Sequence, residues 1–155
     1  MKNKKSTNGH LLLLSLLLCA KTKQPQRCLS LLESSDALSK TAALPVLGEI
    51  AIAAARGVAG EVRDGLHSRF LSATEPGLKN IYGVIEDLFH NIHVMLVLAA
   101  DDLQKRNYGH LASKGGGVRD YADRSAAAIE KDAPELKQKN EDVGVWGEAV
   151  AKDLL

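Results

Sequence analysis

The chain has 155 residues and a formal net charge of +1, with 45% hydrophobic, 25% charged and 4% aromatic side chains. That length suits one domain with one core, and the composition excludes a collagen-like, disulfide-dense or wholly disordered polypeptide. With so few aromatics and only four prolines, Leu, Ala, Val and Ile must fill the interior, which favours helices over a sandwich or barrel.

Charge is unevenly placed along the chain. Residues 1–32 carry six basic side chains and no acid, whereas residues 33–155 carry 14 basic and 19 acidic groups, a net of −5. The body of the chain therefore has no cationic field to recruit a polyanion, and nucleic-acid binding is not expected. Residues 1–20 read as a secretory signal peptide: a lysine-bearing start is followed by the apolar block Leu11 to Ala20, too short to span a bilayer as a helix. A secreted or extracytoplasmic protein is the expectation. Leu18 is bulkier than the small-x-small pattern at a cleavage site after Ala20, and it is also the wrong size to precede an acylated Cys19. A retained or acylated segment would place the chain against a membrane. Cleavage after Ala20 would leave Cys28 without an internal disulfide partner.

Residues 21–44 read as a loosely ordered lead-in, with room for one helical turn or two, around Leu29, Leu31 and Leu32. The first long helix is predicted from Pro45, which suits a first helical turn because its missing N–H has no intrahelical partner there, to about Ser72. Its apolar face runs through Val46, Leu47, Ile50, Ala54, Val58, Val62, Leu66, Phe70 and Leu71. Gly48, Ala51, Ala55, Ala59 and Gly60 add small residues that admit a neighbouring helix closely, with a kink expected near Gly57 or Gly60. Glu49, Arg56, Glu61, Arg63 and Asp64 interrupt it and argue against a membrane span.

Thr74-Glu75-Pro76-Gly77 marks a turn. Beyond it, Leu78, Ile81, Tyr82, Ile85, Leu88, Phe89, Ile92, Met95, Leu96, Ala99 and Leu103 recur at spacings of three and four, predicting one continuous helix over 78–103. The short turn folds the two helices into an antiparallel hairpin. Between Val94 and Ala100 the second helix is apolar on every side, so several neighbours are expected to cover it. Gly115-Gly116-Gly117 reads as a flexible hinge before a third helix that uses Val118, Tyr121, Ala122, Ser125, Ala126 and Ile129. Pro134 ends or kinks that helix. Residues 134–155 then supply a polar joint and a short amphipathic C-terminal helix with Val143, Trp146, Val150 and Leu154 on one side. The fold class is all-α: a helical hairpin with one or two docking helices, its bundle spanning residues 45–133.

Few residues gather into a chemical pattern. Glu86, His90 and His93 share one flank of the long helix within about 60°. A bundle metal site would need further ligands, and His67 or His110 would serve only if the fold brings them near. The triple glycine lacks the Lys-Ser or Lys-Thr of a phosphate loop. Trp146 is expected to close the protein's own core, with a partner's pocket or a membrane interface as its other uses. No catalytic, cofactor or metal residue is assigned.

The hairpin and following helix, roughly residues 45–130, are similar in architecture to small helical proteins exported by type VII systems of actinobacteria and Gram-positive bacteria. Those carry a Trp-x-Gly turn where this chain has Glu75-Pro76-Gly77, and a Sec-like leader is foreign to them, so the resemblance implies architecture alone. The expectation is a non-enzymatic, exported interaction module for a helical partner or for self-association. The alternative is a carrier holding a lipid or other apolar ligand inside the bundle around Val94 to Ala100.

Overall fold

The computed structural model describes residues 19, 22–33 and 44–153. These form five helices and no strands. They are α1 (Pro25–Glu33), α2 (Leu44–Ser72), α3 (Pro76–Gln104), α4 (Tyr108–Asp132) and α5 (Lys137–Asp153), with a 3-10 turn at Pro134–Leu136 between the last two. The small all-α bundle is the predicted class. Helices α2, α3, α4 and α5 pack in a ring in chain order, α5 closing back on α2, and α1 lies on α5.

The α2–α3 hairpin is the predicted one. Pro76 opens α3 at a position where a missing N–H costs nothing, and Glu75 is the N-cap residue. Tyr82, Ile85, Phe89, Ile92, Leu96, Ala99 and Leu103 are buried along one stripe of α3, with Phe89, Ile92 and Ala99 fully enclosed. Each large side chain so buried contributes about 1.5–3 kcal/mol of transfer free energy. On α2 the core stripe is built from small residues: Ala51, Ile52, Ala55, Ala59, Val62 and Leu66 are buried, Ile50, Ala54, Val58 and Phe70 are partly so, and Leu71 is 65% exposed. The side chains of Val46 and Leu47 lie outside the described residues. Helix α3 ends by reversing the chain at Arg106, whose φ is 58°, with Arg106 N–H bonded to the Leu103 carbonyl and Asn107 N–H to the Asp102 carbonyl. This is a Schellman-type C-terminus with arginine in the left-handed position that glycine usually takes.

Two expectations are corrected. The triple glycine is not a hinge, because α4 begins at Tyr108 and runs through Gly115, Gly116 and Gly117 without a break. A Cβ on Gly115 would lie 2.6 Å from the Gly147 carbonyl oxygen and 2.7 Å from the Ala151 nitrogen, and one on Gly147 would lie 2.9 Å from the Gly115 carbonyl oxygen. The two glycines thus let the α4 and α5 backbones touch, and that packing outweighs the helix cost of roughly 1 kcal/mol per glycine.

The second correction concerns the C-terminus. Lys137 to Asn140 is no joint but the start of α5, and every residue from Asp142 to Val150 is buried, so α5 is a central helix rather than a peripheral amphipathic one. Trp146, 2% exposed, fills the protein's own interior as expected. The buried Asn140 of α5 is matched at both ends of its amide: it donates to the Ala122 carbonyl at 3.0 Å, and Ser125 donates to its side-chain oxygen at 3.1 Å. Leu154 lies outside the described residues.

The described part of the lead-in forms the short helix α1, and Cys28 is bonded to Cys19, with both residues buried, a pairing that lasts only while residue 19 is part of the chain. In this structure the Cys19 sulfur is engaged by Cys28. Apart from Cys19, the expected leader lies outside the described residues.

Candidate functional site

Opposite its core stripe, α3 turns a second stripe to solvent. Val84, Val94, Val97 and Leu98 are 53%, 41%, 41% and 45% exposed. Helix α3 has more than one neighbour, α2 and α4, as expected, yet Val94 to Ala100 is covered only in part: Leu96 and Ala99 are buried, Met95 and Ala100 are half-buried, and the other three face out. A four-helix ring covers only the inward half of each member, so an all-apolar stretch must show its outer half. By length and composition alone α3 is also long and apolar enough to cross a membrane.

Two of these groups, Val94 and Leu98, belong to a regular seam, which Val84 and Val97 flank. Asp87, Asn91, Val94, Leu98, Asp101 and Lys105 step by four, three, four, three and four, which keeps them within an arc of about 80° at 100° per residue. All six are exposed. Lys105 Nζ bonds Asp101 Oδ2 at 2.8 Å, and that bond holds the lysine pKa above its ordinary value.

The flank carrying Glu86, His90 and His93 lies beside this seam. The fold does bring His67 to it: His67 Nδ1 is 2.9 Å from Glu86 Oε1, an α2–α3 contact between partly exposed groups. His90 is exposed and His93 half-buried. His110, in the first turn of α4, sits toward the far end of α3 from Glu86. Among the described residues no three His, Cys, Asp or Glu side chains are grouped to hold a metal ion.

Two further features were not foreseen. An open cleft of about 210 Å³ lies between α2 and α3, with Ile52, Ala53, Ala100 and Leu103 as its apolar wall and Glu49, Arg56 and Gln104 at its rim. Its volume is below the range of about 300–1,000 Å³ usual for ligand pockets. The other feature is a polar clasp joining residues 19–28 to α4 and α5. Arg27 donates to both oxygens of the buried Asp142 at 2.8 Å, bonds that raise the guanidinium pKa. The Lys23 backbone N–H donates to Glu148 Oε1 at 3.0 Å, and Glu148 also lies 3.7 Å from Arg119. The excess of acid after residue 33 was visible in the sequence, but nothing there marked Asp142 and Glu148 as the partners of the basic lead-in.

No protein-family model matches the chain, and no curated protein is similar to it.

Proposed function

We propose that the protein is an exported, non-enzymatic interaction module that binds a helix along the outer seam of α3. The observation that carries this reading is the outward placement of Val94, Val97 and Leu98 on a helix whose opposite stripe is fully used by the bundle. Two apolar stripes on one rigid rod serve two packing tasks, and exposed apolar surface bordered by polar groups is the usual character of an interaction site. The Cys19–Cys28 disulfide fits an oxidising compartment, and it requires that residue 19 stay in the exported chain.

The apolar-carrier reading keeps one observation in its favour, the small cleft at Ile52, Ala100 and Leu103. It is favoured less because the stretch expected to enclose a ligand faces outward. The deciding experiment places a photo-reactive amino acid at Leu98, and a control on the exposed Ala126 of α4, in the protein as its own cells make it. A protein adduct from position 98 and none from 126 supports the reading. Lipid adducts alone, or equal labelling at both positions, would overturn it.

A further inference from the structure

We infer that the helix received by this seam is the α3 of a second copy of the same chain, running antiparallel. The inference rests on the docking reading above and adds the partner's identity. In an antiparallel pair related by a twofold axis, residue i of one copy meets residue j of the other and j meets i, so the residue numbers in every layer share one sum. Placing the axis at the level of residue 96 sets Val94 against Leu98, Asn91 against Asp101 and Asp87 against Lys105, each pair occurring twice.

That register is self-complementary in chemistry as well as spacing. Apolar meets apolar at the centre, where burial contributes most, and an amide donor meets a carboxylate in the next layer. Opposite charges then meet at each rim. Sliding by one heptad in either direction spoils it. One slide sets Asp87 on Leu98 and Val84 on Asp101, and the other sets Val94 on Lys105 and Leu98 on Asp101. A parallel pair would set Asp87 on Asp87 and Asp101 on Asp101. The alternation of four and three is the spacing of a two-helix seam, and all six groups are exposed in the single chain, where Lys105 is held by Asp101 and would exchange that exposed bond for Asp87 of the other copy. One helix pair covers less than the roughly 800 Å² per partner of a standard interface, so a weak, reversible dimer is expected.

The test uses the disulfide-intact protein in low salt, where rim charges are least screened. Sedimentation velocity across a concentration series should show a monomer–dimer equilibrium. Asp87→Lys and Lys105→Asp, each creating two like-charge contacts, should weaken the dimer roughly tenfold, and the combined exchange should restore most of it. Leu98→Glu should abolish it, with helical circular dichroism unchanged in every variant.

A zero-length carbodiimide cross-link between Asp87 and Lys105 in the dimer band completes the test. Within one chain these residues are about 27 Å apart along the helix, so that cross-link forms only between copies. A protein that stays monomeric, a dimer indifferent to Leu98→Glu, or charge reversal without rescue and without the cross-link would each overturn self-pairing. The photo-labelling at Leu98 judges the docking face separately, since a foreign helical partner would label there with no dimer present.

Discussion

Adjacent glycines in α4 should respond in opposite ways to the same substitution. At Gly116 a new Cβ meets nothing within 4 Å, so Gly116→Ala gains only helix propensity and should stabilise by about 1 kcal/mol. At Gly115 the same methyl would stand 2.6 Å and 2.7 Å from backbone atoms of Gly147 and Ala151. Backbone cannot rotate aside as a side chain does, so α4 and α5 would have to part by nearly an ångström around Trp146 and Val118. Overpacking of that kind costs about 1–3 kcal/mol, occasionally more. With no flexible side chain to absorb it, the upper end applies. After the propensity gain, Gly115→Ala should still destabilise by about 2 kcal/mol.

Gly117 is the intermediate case. Its Cβ would meet the Met95 thioether at 2.5 Å, a flexible group that can swing away, so Gly117→Ala should be nearly neutral. Urea and thermal unfolding read all three. For a chain of this length, the changes at Gly116 and Gly115 amount to a rise of about 2–4 °C and a fall of about 4–8 °C in Tm. A flexible joint predicts something else, a similar small stabilisation at each position from reduced chain entropy. Equal effects at Gly115 and Gly116 would refute the close approach of α4 and α5.

Other consequences are equally direct. Cys28→Ser removes the cross-link of the loop from Cys19 to Cys28, worth about 2.5 kcal/mol by loop entropy, and should lower the urea midpoint accordingly; an unchanged midpoint would contradict the Cys19–Cys28 bond. Arg106→Gly relieves a left-handed arginine and should raise stability by somewhat under 1 kcal/mol in the same assay. The Lys137 ammonium, bonded to Glu130 at 2.8 Å, holds the Glu130 carboxyl below the usual carboxylate range. Because the folded pKa is the lower one, that pairing is present at neutral pH and is lost as pH falls through it. Carbon-detected NMR titration should show the Glu130 midpoint return to the ordinary range in Lys137→Ala.

The core face of α3 was legible because eleven apolar residues repeat at one period and Pro76 marks the start. The same pattern could not say which side of Val94 to Ala100 would be covered, since periodicity describes a helix and not the number of its neighbours. Helix α5 was misread for a related reason. Lys137, Gln138 and Lys139 look like a solvated joint, and the polar groups that follow become buried only because Ser125 and Arg27, distant in sequence, arrive to pair with Asn140 and Asp142. The triple glycine defeated local propensity in the same way: its helix is held by contact with Gly147, 32 positions downstream of Gly115. The His67–Glu86 contact was conditional on the fold, and the sequence contributed only the candidates.

Hydroxyl-radical footprinting of individual side chains across a dilution series tests the central claim most directly, because Leu71, Val94 and Leu98 report within one sample. The seam account predicts that Val94 and Leu98 lose reactivity as chain concentration rises while Leu71, 65% exposed and away from the seam, keeps its own. If all three stay equally reactive at every concentration, or if Leu71 is the one protected, the outer face of α3 does not receive a second copy of the chain.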